Sequence, residues 1–163
     1  MKIKFKKPIE IDFDESPYLF IEDPQTVDLI KLNLRKKLSK KKLGIVEATY
    51  KLHTPKQLIE MIDSLKKEMD SRYKVLETNQ IWRDPILNAK AKSKMPYIFL
   101  CIEDLTDFLI NKEIRKELEN KLIQIAGLGR GAKIHLIFSC LPMKKHIFPE
   151  ILFTNIQYPL SSN

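Results

Sequence analysis

The sequence predicts a single α/β domain in which helices flank a mainly parallel sheet. The chain has 163 residues, which is the length of one domain. Two unbroken apolar runs, Tyr97–Ile102 and Ile134–Cys140, have the length of strands covered on both faces. Strand and helix patterns alternate three times, as parallel crossovers require. We therefore expect one domain over residues 1–163, with a core at about 17–156 and an N-terminal strand arm at 1–14.

The first third of the chain predicts three strands and one helix. Loose alternation indicates a strand or a β-hairpin arm over Ile3–Phe13, and Pro8 limits that arm to the edge of a sheet. Pro24 favours the start of a helix, because proline suits the first helical turn. Apolar residues then recur at steps of three and four, as on one face of a helix. The helical positions are Val27, Ile30, Leu34 and Leu38. The strands predicted before and after this helix are Tyr18–Ile21 and Leu43–Ala48.

Two further helices are predicted, with an aperiodic segment between them. Thr54 and Pro55 favour a helix start as N-cap and first-turn residues. Asn79–Lys94 has no clean period, and we expect it to be mobile. A third helix is predicted from about Leu105 to Ala126, with a glycine stop at Gly127–Gly129. The apolar stripe of the long second helix is Leu58, Ile62, Leu65, Met69, Tyr73 and Leu76.

Composition narrows the class of protein. An apolar fraction of 44% and a charged fraction of 31% are typical of a soluble globular protein. No apolar run approaches the ~18–20 residues of a membrane span, and no signal-peptide pattern follows the N-terminus, so we expect a cytoplasmic protein. Cys101 and Cys140 lie in apolar runs and are expected to be buried thiols. The three histidines share no metal-ligand spacing, and we expect neither a metal nor a cofactor.

The net charge of +8 is concentrated in short clusters. Seven cations lie between Lys31 and Lys42 with no acid among them, and a second cluster lies in the aperiodic segment. Such clusters favour a polyanion through counterion release, although a solvated lysine-rich surface accounts for them equally well. No aromatic residue is interleaved with them, as a single-strand stacking surface would require. The candidate DNA-binding residues are Lys31, Arg35, Lys36, Lys37, Lys40, Lys41, Lys42, Lys90, Lys92 and Lys94.

The acidic pair Glu103–Asp104 follows the first buried apolar run. P-loop ATPases place the carboxylates that hold magnesium at this position, but Asp104 would equally serve as the N-cap of the next helix. A phosphate cradle belongs in the turn after the first core strand, and it needs glycines and a lysine. That turn, Glu22–Asp28, contains neither and carries three acids. The glycine-rich Gly127–Gly131 follows a helix and precedes a strand, which predicts a flexible connection instead.

Several stretches together resemble one known family. They are Met69–Leu76 (MDSRYKVL), Met95–Leu109 (MPYIFLCIEDLTDFL), Arg130–Leu136 (RGAKIHL), Ser139–Pro142 (SCLP) and Thr154–Ile156 (TNI). In this order and spacing they resemble the motor-domain core of FtsK/SpoIIIE DNA translocases, which are additional-strand, RecA-like P-loop ATPases. The resemblance runs from about Pro17 to Ile156 and implies a reduced, three-layer version of that domain.

The departures from the family shape the expected function. Walker A is absent at Glu22–Asp28, the Walker B order is inverted at Glu103–Asp104, and the Gln-Arg of the family's QRP element is missing. The resemblance thus implies lost hydrolysis, with Glu103 and Asp104 as degenerate Walker B positions and no confident catalytic residue. It also implies that Arg130 resembles an arginine finger, which a ring subunit presents to its neighbour.

We therefore expect a non-catalytic accessory of bacterial or mobile-element origin, such as one in plasmid transfer. It would bind double-stranded DNA or assemble with an active translocase. One alternative is a protein-interaction module in a secretion or conjugation apparatus, without nucleic-acid contact. Another is a weak ATPase. The oligomeric state stays open.

Overall fold

The computed structural model describes residues 2–4, 10–13, 18–21, 24–37, 43–49 and 51–139. Two short strands pair antiparallel, and four longer strands form a separate parallel sheet. The strands are β1 (Lys2–Lys4), β2 (Glu10–Asp12), β3 (Tyr18–Ile21), β4 (Leu43–Thr49), β5 (Tyr97–Glu103) and β6 (Ile134–Ser139). The spatial order of the parallel sheet is β3-β6-β5-β4, so the predicted parallel α/β fold is confirmed.

Helices cover both faces of this sheet. They are α1 (Pro24–Lys37), α2 (Pro55–Glu77), α3 (Pro85–Lys94), α4 (Leu105–Leu109) and α5 (Lys112–Leu128). Alternate residues of β5 point to opposite faces: Phe99 and Cys101 pack with α1, whereas Leu100 and Ile102 pack with α2, α4 and α5. A strand buried on both faces has no polar side to display, which is why its sequence is an unbroken apolar run. Within the described part of the chain, no helix combines the length and apolar character needed to cross a membrane.

The start of α2 is specified by local sequence. The Thr54 hydroxyl accepts a hydrogen bond from the Gln57 backbone N–H at 3.3 Å, and the Gln57 side chain accepts one from the Thr54 N–H at 2.7 Å. This reciprocal capping box satisfies two backbone donors that a helix start leaves unpaired. The predicted helix start at Thr54 and Pro55 is confirmed.

One helix prediction is corrected by the structure, and one further helix was not predicted. The single helix expected over 105–126 is broken into α4 and α5, and the Asn111 side chain accepts the Glu113 N–H at 3.1 Å to start α5. The aperiodic segment that we expect to be mobile contains most of a 3₁₀ helix, Thr78–Arg83, followed by α3. Asp84 caps α3 by accepting N–H groups of Ile86 and Leu87. No residue of α3 is buried, so no apolar period marks this helix in the sequence.

The glycine-rich connection after α5 is a closely packed turn. The α-helix ends within the predicted glycine segment, with Gly129 as its C-cap, but Gly129 has right-handed helical geometry and begins a 3₁₀ helix, Gly129–Ala132. The residue with left-handed geometry is Lys133, at φ 57°. A Cβ on Gly129 would lie 2.3 Å from the Ile134 carbonyl oxygen, and one on Gly131 would lie 2.4 Å from the Tyr73 hydroxyl. Both glycines are thus explained by close approach of neighbouring atoms.

Arg72 of α2 joins three parts of the molecule. Its side chain is buried, with a residue exposure of 5%. One guanidinium nitrogen donates to the carbonyls of Pro96 and Ala132, each at 2.7 Å, and Nε donates to Glu68 at 2.7 Å. Pro96 immediately precedes β5, and Ala132 lies two residues before β6. Arg72 therefore ties α2 to the entry points of the two central strands.

Replacing Arg72 with leucine is expected to lower the free energy of unfolding by about 3 kcal/mol, since each carbonyl left without its buried donor costs about 1–3 kcal/mol. Equilibrium unfolding in urea measures this change. The control is Arg115→Leu, which removes an i,i+4 ion pair with Glu119 on the surface of α5. That pair contributes less than about 1 kcal/mol, and equal losses in both variants would contradict the role assigned to Arg72.

Alanine substitutions at two neighbouring glycines should have effects of opposite sign. A Cβ on Gly127 meets no atom within 4 Å, so Gly127→Ala should raise the free energy of unfolding by about 0.5–1 kcal/mol. Gly129→Ala should lower it by about 1–3 kcal/mol, because the backbone around Ile134 must shift. Thermal and urea unfolding compare the two variants. Stabilisation by both would show that the turn is not closely packed.

Candidate functional site

The carboxyl edge of the parallel sheet brings together the acidic pair and the end of β6. Glu103 ends β5, and the next backbone N–H, that of Asp104, donates to the Ser139 hydroxyl at 3.0 Å. Ser139 is the last residue of β6 and is fully buried. It also pairs in register with Ile21, the last residue of β3. One hydrogen bond therefore connects the acidic pair to the neighbouring strand end.

Asp104 has an unusual backbone geometry. Its φ of 48° lies in the left-handed region, which costs a residue other than glycine about 1–2 kcal/mol, although aspartate tolerates it better than most. Its carboxylate accepts a hydrogen bond from the Thr106 hydroxyl at 2.7 Å and makes no capping bond to the backbone of α4. The capping role considered for Asp104 is therefore wrong. Backbone strain of this kind is concentrated at functional positions.

The chain leaves the sheet in opposite directions at this edge. The connection after β3 enters α1 on one face, and the connection after β5 enters α4 and α5 on the other. Ligands of open α/β sheets bind in the crevice at such a divergence. The described strand ends at this edge are Ile21 of β3, Glu103 of β5 and Ser139 of β6, of which Ile21 and Ser139 are buried. Glu22 and Asp23, which follow β3, lie outside the described residues.

The carboxyl edge offers few ligands to a metal cation. Among the described residues, no group of three or more histidine, cysteine, aspartate or glutamate side chains converges on one point. Magnesium in phosphoryl-transfer sites needs only one or two carboxylates, because substrate phosphates complete its coordination. Glu103 and Asp104 alone would therefore hold magnesium only together with a bound nucleotide.

Arg130 lies at the opposite edge of the sheet. It belongs to the 3₁₀ helix that precedes β6, whereas Glu103 and Asp104 follow the carboxyl end of β5. The two strands run parallel and β6 spans six residues, so about 20 Å separates the edges. Within one chain, Arg130 and the acidic pair cannot act on the same phosphate group.

The first basic cluster is partly neutralised by two acids, one on the same helix and one on β4. Lys31 Nζ lies 2.6 Å from Asp28 and 3.1 Å from Glu47, and Arg35 lies 2.6 Å from Glu47. Burial lowers the pKa of Lys31, but hydrogen bonds to Asp28 and Glu47 outweigh it and leave the pKa raised. Lys36 is exposed. The side chain of Lys37 and all of Lys40, Lys41 and Lys42 lie outside the described residues.

The second basic cluster lies on α3, where Lys90 and Lys94 are exposed and Lys92 is half-buried. The preceding 3₁₀ helix packs against α3 and carries Trp82, which is 53% exposed. The Arg83 guanidinium lies 4.9 Å from the centre of the Trp82 ring. An exposed aromatic residue therefore lies on the element that packs against the lysine-bearing helix. The sequence did not indicate this packing, because Trp82 precedes Lys90 by more than two helical turns.

A pocket of about 580 Å³ opens at the amino edge of the sheet. Its lining includes Arg130, together with Lys92 of α3, Lys133 and Tyr73. The structure therefore brings together one residue of the second basic cluster and the arginine-finger candidate. These two were predicted for separate roles.

The buried cysteine and histidine of the central strands are structural. Burial raises the pKa of the Cys101 thiol to about 12, so the thiol stays protonated at neutral pH. The predicted burial of Cys101 is confirmed, and Cys140 lies outside the described residues. His135 of β6 is fully buried and stacks on Phe99, with ring centres 5.3 Å apart.

Comparison with known proteins shows a distant relationship. No family model matches the chain. The chain is 28% identical over 151 residues to the DNA translocase FtsK of Chlorobaculum tepidum, covering 92% of this chain and 18% of that protein. It is 27% identical over 106 residues to the DNA translocase FtsK of Helicobacter pylori strain J99, covering 63% of this chain and 12% of that protein. The chain is distantly homologous to FtsK DNA translocases and spans less than a fifth of their length.

Solved structures with the same fold include parts of larger ATPases. EssC (ATPases 2 and 3) of Geobacillus thermodenitrificans has a TM-score of 0.68 at 16% identity, over 92% of this chain and 33% of that chain. The pCW3 conjugation coupling protein TcpA has a TM-score of 0.64 at 16% identity, over 96% and 52%. The type VII secretion ATPase EccC of Thermomonospora curvata has a TM-score of 0.62 at 13% identity, over 83% and 17%. At these identities the likeness shows the fold.

Proposed function

We propose that this protein is a non-catalytic FtsK/SpoIIIE-like protein of the cytoplasm. It acts as a DNA-binding accessory or as an assembly partner of an active DNA translocase, in plasmid transfer or another mobile-element process. The observation that carries the non-catalytic part is the composition of Glu22–Asp28, the stretch that follows β3 and includes the start of α1. This stretch has neither glycine nor lysine, although the acidic pair at the end of β5 is kept.

Loss of hydrolysis follows from what phosphoryl transfer requires. The transition state is stabilised by backbone N–H groups around the phosphates, a lysine on the terminal phosphates and magnesium held by carboxylates. In this chain, Pro24 lacks an N–H, and three acids of the turn repel a triphosphate. Only Glu103 and Asp104 remain in place, and two carboxylates without a phosphate cradle have no bound nucleotide to act on.

The DNA-binding part rests on the second basic cluster. Lys90 and Lys94 are exposed on α3, a helix with no buried residue. Lys31 and Arg35 of the first cluster contribute less, because Glu47 already pairs with both. Exposed lysines bind phosphates through counterion release, which gives affinity without sequence preference. We therefore assign the main DNA contact to α3.

The assembly part rests on the position of Arg130. Because Arg130 and the acidic pair occupy opposite edges of the sheet, Arg130 is suited to a nucleotide on a neighbouring subunit rather than its own. A subunit without hydrolysis would still complete a neighbour's site in this way. The arrangement requires an oligomer that contains at least one active translocase subunit.

A second candidate is a protein-interaction module in a secretion or conjugation apparatus, without nucleic-acid contact. It is favoured by the fold shared with EssC, EccC and TcpA. Exposed apolar side chains also surround the start of α3, with Ile86 at 78% and Leu87 at 47% exposure. A pull-down of partners that survives nuclease treatment would favour this candidate over the DNA-binding one.

Duplex DNA should bind at about 50 mM salt and lose affinity steeply by about 200 mM. The variant Lys90→Gln/Lys94→Gln should reduce the slope of log affinity against log salt by about 2, one unit for each phosphate contact. Fluorescence anisotropy with a labelled duplex measures both effects. The control, Lys56→Gln/Lys112→Gln, removes the same charge from exposed positions at the starts of α2 and α5. If the protein does not bind duplex DNA at low salt, or if its affinity for DNA does not change with salt, the proposal that it binds DNA is refuted.

Isothermal titration with Mg-ATP should show no binding at tens of micromolar, because the turn after β3 offers no phosphate cradle. The companion variant is Glu103→Gln/Asp104→Asn, which removes both carboxylates of the Walker B position. Tight binding that this variant weakens would replace the non-catalytic proposal with the weak-ATPase alternative.

A further inference from the structure

The pocket at the amino edge of the sheet is built from four separate elements. We call it the amino-edge pocket and define it by Tyr73, Lys92, Arg130 and Lys133. Tyr73 comes from α2, Lys92 from α3, Arg130 from the 3₁₀ helix after α5, and Lys133 from the single residue that links this 3₁₀ helix to β6. Its volume of about 580 Å³ lies in the range of small-molecule sites.

The side chains around this pocket are held in position. The Tyr73 hydroxyl donates to the Leu128 carbonyl at 2.5 Å, and the absent side chain of Gly131 leaves room for the ring. Lys133 takes a left-handed backbone geometry, fixed by its N–H bond to the Arg130 carbonyl at 3.1 Å. Its ammonium lies 4.4 Å from the centre of the Tyr97 ring. Such preorganisation reduces the entropy lost on binding a ligand.

The described lining of the pocket is cationic. Three of its lining residues are cations, and no carboxylate is among the lining residues that the structure describes. The carboxyl ends of α2, α3 and α5 point towards this edge and contribute about half a negative charge each. The Leu128 carbonyl at the end of α5 is already bonded to Tyr73. Three cationic side chains on concave walls favour an anionic ligand.

The positive charge of Arg130 acts on a side chain of the pocket wall. Burial raises the pKa of the Tyr73 phenol, and the nearby Arg130 guanidinium acts in the opposite direction. The guanidinium therefore lies close enough to influence a group on the pocket wall. A planar guanidinium binds phosphate oxygens with two parallel hydrogen bonds, and an ammonium adds a compact point charge.

We propose that the amino-edge pocket binds a phosphate group, with Lys92 and Arg130 as its direct ligands and Lys133 as a supporting charge. The phosphate belongs either to the DNA backbone or to a small phosphorylated molecule such as a free nucleotide. A phosphate suits this site better than a carboxylate, because its higher charge matches three cations. The inference does not depend on DNA binding through Lys90 and Lys94 of α3. If the phosphate belongs to DNA, the pocket adds a second DNA contact to the proposed function.

This pocket is distinct from the Walker B edge. About 20 Å of sheet separates the two, so a phosphate bound by Arg130 lies far from Glu103 and Asp104. Binding in the pocket also occupies Arg130. A loaded pocket and presentation of Arg130 to a neighbouring subunit therefore exclude each other, and the ligand would control assembly.

The test uses inorganic pyrophosphate as the probe, titrated into the full chain and followed by calorimetry. The variant Lys92→Gln/Arg130→Gln should bind pyrophosphate at least about tenfold more weakly, because two charge-assisted hydrogen-bonding groups are lost. The control, Lys56→Gln/Lys112→Gln, removes two exposed lysines from the opposite ends of α2 and α5 and should match the wild type. Arg130→Gln alone serves as a second variant, because Arg130 is exposed and its loss does not open the core.

Competition with duplex DNA distinguishes the two sources of phosphate. Displacement of pyrophosphate by the duplex supports the DNA backbone as the ligand, and weaker DNA binding by Arg130→Gln supports it further. Pyrophosphate binding that DNA does not displace supports a small phosphorylated molecule. No pyrophosphate binding, or equal affinity in the pocket and control variants, overturns the proposal. In that case, salt-sensitive DNA binding that still depends on Lys90 and Lys94 leaves the proposed function standing.

Discussion

The hydrogen bonds of Arg72 are the constraint on which the amino edge of this domain depends. A buried guanidinium must have its donors satisfied, and here the partners are the carbonyls of Pro96 and Ala132. These bonds set where α2 lies relative to the entry points of β5 and β6. The next residue, Tyr73, is then placed against the end of α5, and the close fit around Gly131 follows. The pocket that we assign to phosphate is a consequence of these hydrogen bonds.

The two edges of the sheet differ in charge and therefore in chemistry. The carboxyl edge carries Glu103 and Asp104, with Ser139 holding the Asp104 backbone in a left-handed geometry. The amino edge carries Arg130 and Lys133 beside Lys92. In a working P-loop ATPase the carboxyl edge binds the nucleotide, and the phosphate charge is neutralised there. In this chain the described pocket with cationic lining lies at the other edge, so the phosphate site that we propose is separate from the acidic pair at the carboxyl edge.

Elements specified by neighbouring residues were predicted well, and elements specified by distant contacts were not. The unbroken apolar runs predicted β5 and β6, and Thr54 with Pro55 predicted the start of α2. The break between α4 and α5 was missed because apolar residues recur on both sides of Asn111. Helix α3 was missed because a helix with no buried residue leaves no apolar period. The cap proposed for Asp104 failed because its backbone geometry directs the carboxylate to Thr106.

The sequence by itself determined the parallel α/β class, the order of its core strands and the lack of glycine and lysine in Glu22–Asp28, because periodicity and residue type are local properties. Only the tertiary structure decided which charged side chains pair with an acid and which line the same pocket. Glu47 lies twelve residues beyond Arg35 in the chain, yet it pairs with the first basic cluster. Lys92 and Arg130 lie on different elements, and packing places them in one pocket. Electrostatic interactions depend on distance in space, and that distance is set by the packing of the helices on the sheet.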